Sequence, residues 1–259
     1  MQNEQIEQID SFQEKELREH GAIEDDHLQM PGEAKMKIDL HCHSDASWDC
    51  WTPLDLIPER CREMGIVVQA ITDHNEIWGA KALEALVNSD PQTDLTIIVG
   101  EEISTAEGEI IGLFLDEKIE EGLSPEETVR RIKAQGGLVL LPHGFDPLKR
   151  YRLWPEARHR VVEDLDIVET FNARISRPRW NEAAVEWSLR NNLPMSAGTD
   201  AHRLEDIGSA WVEVPYGQID GPLDLLDAIK DGVPVGDWTH PVWAFIQKMW
   251  GQVRQLLEA

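Results

Sequence analysis

The chain is poor in cysteine, tyrosine and positive charge. Its 259 residues hold three cysteines and two tyrosines, and 24 lysines and arginines stand against 49 aspartates and glutamates. Cys42, Cys50 and Cys61 form no CxxC pair, and their odd number argues against a disulfide framework and fits a reducing cytosol. A formal net charge of -25 disfavours adhesion to long nucleic acid or to an anionic membrane, but leaves room for a small anion bound through a local basic window. No run approaches the roughly 18 apolar residues of a membrane span, and the N-terminus lacks a basic segment followed by an apolar one. The sequence therefore reads as soluble, unexported and cytoplasmic.

What is present is a rhythm. Residues 1–35 form an acidic, loosely amphipathic N-terminal extension. Residues 36–235 alternate short apolar runs with amphipathic helical patterns, the signature of βα units around a parallel sheet or barrel. Thr52-Pro53 and Ser124-Pro125 each place a capping residue before proline, Ser124 with Glu127 spells a capping box, and Gly65 and Gly136-Gly137 supply stops. Residues 236–259 set Val242, Phe245, Ile246, Met249, Val253 and Leu256 at helical spacing, which predicts a C-terminal amphipathic helix packed on the body.

The stretch "KIDLHCHSDASWDC" puts His41 and His43 on one side of an extended strand, where two imidazoles can reach one target. Other strand-like runs also end in candidate ligands: Asp73-His74, Glu101-Glu102, His143, Glu169, and Asp200 with His202. Singly, each has an ordinary reading as a turn residue, loop tip or helix cap. Jointly they point to one face, because strand C-terminal ends of a parallel barrel open together. Mixed imidazole and carboxylate donors suit zinc, manganese or iron in hydrolytic service, and so many donors suggest two or three ions.

Five ordered motifs, "DLHCHSDASWD", "ITDHN", "VGEEIST", "LPHGF" and "GTDAH", resemble the PHP family, named for polymerase and histidinol phosphatase. The resemblance runs from about Met36 to Val214 and implies an α/β fold, a distorted (β/α)7 TIM-like barrel. It also implies a cluster of two or three divalent metal ions and hydrolysis of phosphate esters by a metal-bound hydroxide. Carried over by motif, the metal ligands are His41, His43, Asp49, His74, Glu102, His143, Asp200 and His202. Glu102 is read as the bridging carboxylate, with Glu101 its competitor. Glu109 falls where many family phosphatases carry histidine, and is taken as a further ligand. Glu169 is either another ligand, a substrate contact or a solvated strand end. Asp200, His74 and His202 are the candidates for moving a proton to the leaving oxygen.

Eight of the 24 basic residues crowd into "KRYRLWPEARHR" and "NARISRPR". Lys149, Arg150, Arg174 and Arg177 are expected to clamp substrate phosphate, surface salt bridging being the alternative. Trp48, Trp51 and Trp154 read first as packing residues and second as stacking surfaces. The expected partner is a phosphorylated small molecule, a nucleotide or a short oligonucleotide. A noncatalytic metal-stabilised binding module and an amidohydrolase-type carbon–nitrogen hydrolase are the competing functions. The second would more typically want a bridging lysine at a strand end, and none is evident.

Overall fold

A computed structural model describes residues 34–238. The N-terminal extension up to residue 33 and the expected C-terminal helix, from residue 239 onward, lie outside the described residues. Nine strands run β1 (Lys35–Asp39), β2 (Ile66–Ile71), β3 (Thr96–Thr105), β4 (Gly108–Leu113), β5 (Leu138–Leu141), β6 (Ile167–Asn172), β7 (Met195–Gly198), β8 (Ala210–Pro215) and β9 (Val233–Gly236). Between and after them lie α1 (Ile57–Met64), α2 (Trp78–Asn88), α3 (Pro125–Ala134), α4 (Pro155–Val161), α5 (Arg179–Asn191) and α6 (Pro222–Ile229).

The strands form one sheet in the order β7-β6-β5-β4-β3-β2-β1-β8-β9. Its first seven strands curl into a ring, because the chain leaving β1 meets β7. Leu40 N donates to Ala197 O (3.3 Å), His43 N to Ala201 O (3.1 Å) and Asp200 N to His41 O (2.8 Å). Buried Asp39 fastens the same seam: its Oδ1 accepts from the backbone N–H groups of His41 and Thr199, and its Oδ2 from Thr199 Oγ1 at 2.7 Å. The result is a distorted TIM-like barrel, with β8 and β9 continuing the sheet antiparallel beyond β1.

The distortion is β4. The runs "LTIIVG" and "EIIGLFL" follow one another with no helix between them: β3 turns back directly into β4, which runs antiparallel to both β3 and β5. Only Ala106 and Glu107 separate the two strands, and Gly108 completes the turn at φ +120°, where a Cβ would lie 2.4 Å from Arg152 O. A reversed strand has its N-terminal end on the face where its parallel neighbours end. Glu109 thereby joins residues from the C-terminal ends of the other strands.

Strand pleating sorts the side chains into two cores. Ile98 and Ile167 belong to the inward cluster with Ile38, Leu40, Val68, Ile111 and Leu140. Ile97, Val99, Val139 and Val168 face outward against Leu83, Val129, Ile132 and Ala157 of the helices. Period two then carries Glu102 into the barrel along the row of Ile98 and Gly100, and Glu169 along the row of Ile167. Glu101 points the other way.

Ser124 caps α3 as expected, its Oγ accepting from Glu127 N at 3.2 Å, although the Glu127 carboxylate turns to Arg130 and Arg131 rather than closing the box. Gly65 ends α1 at φ 69°. Thr52 does not cap a helix. A second proline, Pro58, would sit inside a helix begun at Pro53, so a short 3-10 turn (Leu54–Leu56) intervenes and α1 starts where the missing N–H is harmless.

Gly198, at the end of β7, has no room for a side chain: a Cβ would lie 2.2 Å from Glu169 Oε1 and 2.4 Å from His41 Cβ. Gly198→Ala is expected to lower Tm by about 3–10 °C through overpacking. Gly217→Ala, with nothing within 4 Å of the new Cβ, should stay within about 2 °C in the same thermal scan.

Candidate metal centre

At the C-terminal mouth of the barrel, one carboxylate stands among four imidazoles. Glu102 Oε1 lies 2.9 Å from His143 Nε2, while its Oε2 lies 3.3 Å from His41 Nε2, His43 Nε2 and His74 Nδ1 alike. His41 and His43 approach Nε2 to Nε2 at 3.2 Å, so at most one of those nitrogens can donate there. Around this hub stand Asp200, with Oδ1 3.6 Å from His43 Nε2, and Glu109, with Oε1 3.6 Å from His74 Nδ1. Asp49 Oδ2 meets His202 Nε2 at 3.0 Å on the outer side.

Backbone strain helps to aim these groups. His143 (φ 27°), Asp200 (φ 51°) and Asn75 (φ 52°), next to His74, sit at positive φ without being glycine. His143 is held by Glu169 Oε2, which accepts its backbone N–H at 2.6 Å. The same Glu169 carboxylate receives His41 Nδ1 at 2.9 Å and Asn172 Nδ2 at 3.0 Å. It therefore fixes the His41 ring with Nε2 turned to the cluster. Asp73 acts one layer out, accepting from Ser44 N (2.7 Å) and Ser44 Oγ (2.6 Å) and so tethering the loop that carries Asp49.

The charges explain what such a site needs. Burial opposes the ionised form of Glu102, but His41, His74 and His143 hold its carboxyl well below the usual range. Burial opposes ionisation of Asp200 too, and Lys149, His41 and Arg174 overcome it. Glu109 is pushed up to about 10 by burial and by the charge of Glu102. Burial favours a neutral His43, yet its hydrogen bonds to Asp200 and Glu102 raise it to about 9. His202 falls to about 3 through burial and the nearby Arg174 cation. The cluster thus gathers protons to offset its carboxylates, which is the service divalent cations perform in their place.

The donor set fits such ions. His43, His74 and His202 each offer a donor atom within 4.8 Å of the others, as do His41, His43 and Glu102, then His41, His143 and Asp200, and then His74, Glu102 and Glu109. The buried Nδ1 atoms of His43 and His143 have no hydrogen-bond partner. Imidazoles and carboxylates in this proportion suit zinc, manganese or iron alike.

The family model described as the PHP domain matches residues 39–162, and that described as PHP-associated matches residues 178–234. Over 197 residues the chain is 35% identical to the uncharacterized protein MJ0417 of Methanocaldococcus jannaschii, spanning 73% of this chain and 75% of that one. The chain belongs to the PHP family. Among solved structures it is similar in fold to a two-domain protein of Bacteroides vulgatus, described as containing a predicted PHP-like metal-dependent phosphoesterase. That match has 18% identity and TM-score 0.64, covering 80% of this chain and 66% of the other. A structure of endonuclease Q in complex with a 27-mer duplex carrying an abasic lesion is similar at 13% identity and TM-score 0.59, covering 80% of this chain and 60% of that one. This PHP chain therefore corresponds to part of each solved protein.

The fold brings His41, His43, Asp49, His74, Glu102, Glu109, His143, Asp200 and His202 into one cluster, with His41 and His43 fully buried behind the cleft that the other seven line. Glu101 is not among them: its Oε2 accepts from Ile119 N at 2.8 Å on the outer side of the sheet, and the competition with Glu102 resolves by pleat direction. Neither Glu101 nor Glu102 ends its strand, since β3 continues to Thr105 to pair with β4. Lys149, Arg150 and Arg174 line the cleft. The Lys149 ammonium contacts Asp200 Oδ2, and Arg174 Nη1 contacts His202 Nδ1 and, at 2.9 Å, Asp200 O. Arg177 is exposed and outside the cleft lining, so the expected four-residue clamp loses one member. Arg160 pairs with Glu126 and Glu107 in ordinary surface bridges.

Trp48, Trp51 and Trp154 do not pack inside. They are 74%, 58% and 53% exposed, and of the three only Trp48 lines the cleft. Sequence reading passed over Tyr151, Ser104 and Glu121, which also line it. It also passed over Asp146, whose carboxylate accepts from Leu148 N, Ser176 N and Ser176 Oγ and joins the two basic loops. No local pattern marks these residues, because loops meet only in the folded chain.

Glu169→Gln should weaken metal binding roughly 10- to 100-fold through loss of His41 and His143 orientation. Titration of metal-free protein with Mn or Zn, followed by calorimetry, measures it; unchanged affinity would remove the orienting role.

Proposed function

We propose that this PHP protein hydrolyses phosphate esters with the help of two or three divalent metal ions held by the nine clustered donors. The observation that carries the reading is the meeting of the Glu102 hub with three cationic side chains, Lys149, Arg150 and Arg174, in one cleft of about 460 Å³. Anionic substrate and polar donors share one space there. Divalent ions in such a site supply Lewis acidity, lowering the pKa of an attacking water and neutralising charge on phosphoryl oxygens.

The chain's own residues do the rest. Hydrolysis adds water across a P–O bond: the water gives up a proton and the leaving oxygen takes one. Arg174 and Arg150 present guanidinium forks suited to two phosphoryl oxygens, and Lys149 presents a single ammonium. Among the proton-shuttle candidates, Asp200 and His202 are buried and contacted by Lys149 and Arg174. His74 is the most open, with 13% exposure, and its Nε2 has only a 3.8 Å approach to Asp49. Burial lowers its pKa, so the ring is neutral at pH 7 and able to accept a proton. The three cysteines are free and buried, which suits the cytoplasmic setting we assign.

Mn-loaded protein should release phosphate or nucleotide from a panel of nucleoside mono- and bisphosphates, sugar phosphates and short oligonucleotides. The His41→Ala/His74→Ala double variant should abolish that release. A panel without release, from protein shown to hold its metals, would replace this reading with a noncatalytic platform. Arg174→Ala should raise KM for the best substrate at least tenfold, whereas Arg177→Ala should leave KM within about twofold.

A further inference from the structure

Four exposed aromatic residues, Trp48, Trp51, Tyr151 and Trp154, lie on the two loops that also supply Asp49, Lys149 and Arg150 to the lining of this cleft. Exposed indole and phenol rings at a polar, cation-lined mouth ask for an occupant with an apolar face and negative charge. Two of these rings enter the cleft lining itself. Trp48 is 74% exposed, and its ring centroid is 6.1 Å from that of His74, with the planes 32° apart. Tyr151 is 52% exposed, and its carbonyl accepts the backbone N–H of Glu109 at 2.7 Å. The Trp48 ring and the Tyr151 backbone thus stand beside the His74–Glu109 side of the donor cluster, where those two side chains come within 3.6 Å.

The cations stand in the same place. Arg150 lies 5.5 Å over the Tyr151 ring, and Arg150, Lys149 and Arg174 share the cleft lining with both aromatic residues. An apolar chain or lipid would give the exposed Arg150 no anion, and a phosphorylated sugar would give the rings no flat π-face. A nucleobase joined to a phosphate satisfies both, because every base has a flat π-face for an indole or phenol. We infer that the cleft selects phosphate esters bearing an unpaired nucleobase, with Trp48 as the principal stacking surface and Tyr151 as the second. A base already paired in a duplex presents no free face, and the chain's charge of -25 repels a long polyanion outside the local window.

This inference rests on the phosphoesterase reading and deepens it. Its test compares kcat/KM for adenosine monophosphate and for glycerol phosphate on the full, metal-loaded chain. The nucleotide should be preferred at least tenfold. Trp48→Ala should cut the ratio of the two kcat/KM values roughly 5- to 150-fold, mainly through KM for the nucleotide. Trp48→Phe should restore most of the ratio, and Trp51→Ala, on the same loop but outside the cleft lining, should keep it. Equal kcat/KM for the two esters, or a ratio unmoved by Trp48→Ala, overturns the stacking role while phosphate-ester hydrolysis stands. Hydrolysis of neither ester by protein shown to hold its metals overturns the phosphoesterase reading itself.

Discussion

The Glu102 carboxylate, with four imidazoles at 2.9–3.3 Å, is the contact on which the rest of the centre depends. A charge this deep in a protein is costly unless surrounded by opposite charge and hydrogen bonds. The imidazoles come from the ends of β1, β2 and β5, so their convergence requires the barrel to close at its β1–β7 seam. Asp39 and Thr199 hold that seam beneath the site, and Gly198 allows β7 to approach His41 without a side chain in between. Core packing and site geometry are one construction at this level.

Reversal of β4 has a comparable effect on the opposite wall. In a uniform parallel barrel, a residue one position into a strand faces the wrong end. The hairpin of β3 and β4 turns that end around, and Glu109 arrives beside Glu102 and His74 as a second carboxylate. Burial and then the neighbouring Glu102 charge push Glu109 up to about 10, so the two acids do not ionise freely together. A divalent ion relieves that conflict, which is a physical reason for a carboxylate to be tolerated there.

Charge on this chain works at two scales. The net balance of -25 repels polyanions at a distance, while Lys149, Arg150 and Arg174 gather three cations beside the carboxylates of one cleft. Arg160 and Arg130, which belong to the same basic total, are spent on surface carboxylates, and such exposed pairs contribute little to stability. A count of basic residues in sequence therefore overstates how many reach the cleft, and position in the fold separates the two uses.

Much of the centre was legible in the order of residues: HxH in an extended segment, acids and histidines after apolar runs, and five motifs in sequence pointed to candidate donors that the fold brings together and to a barrel of PHP type. Local chemistry sufficed there, because strand periodicity and helix caps depend on neighbours in the chain. Other outcomes belonged to the tertiary structure. Two consecutive glutamates carry the same chemistry in sequence, and only pleat direction sends Glu102 inward and Glu101 to Ile119. Arg174 and Arg177 are three residues apart in one basic run, yet only the first turns into the cleft. The tryptophans read as packing and proved exposed, since burial is decided by what the rest of the chain covers, and no local pattern encodes it.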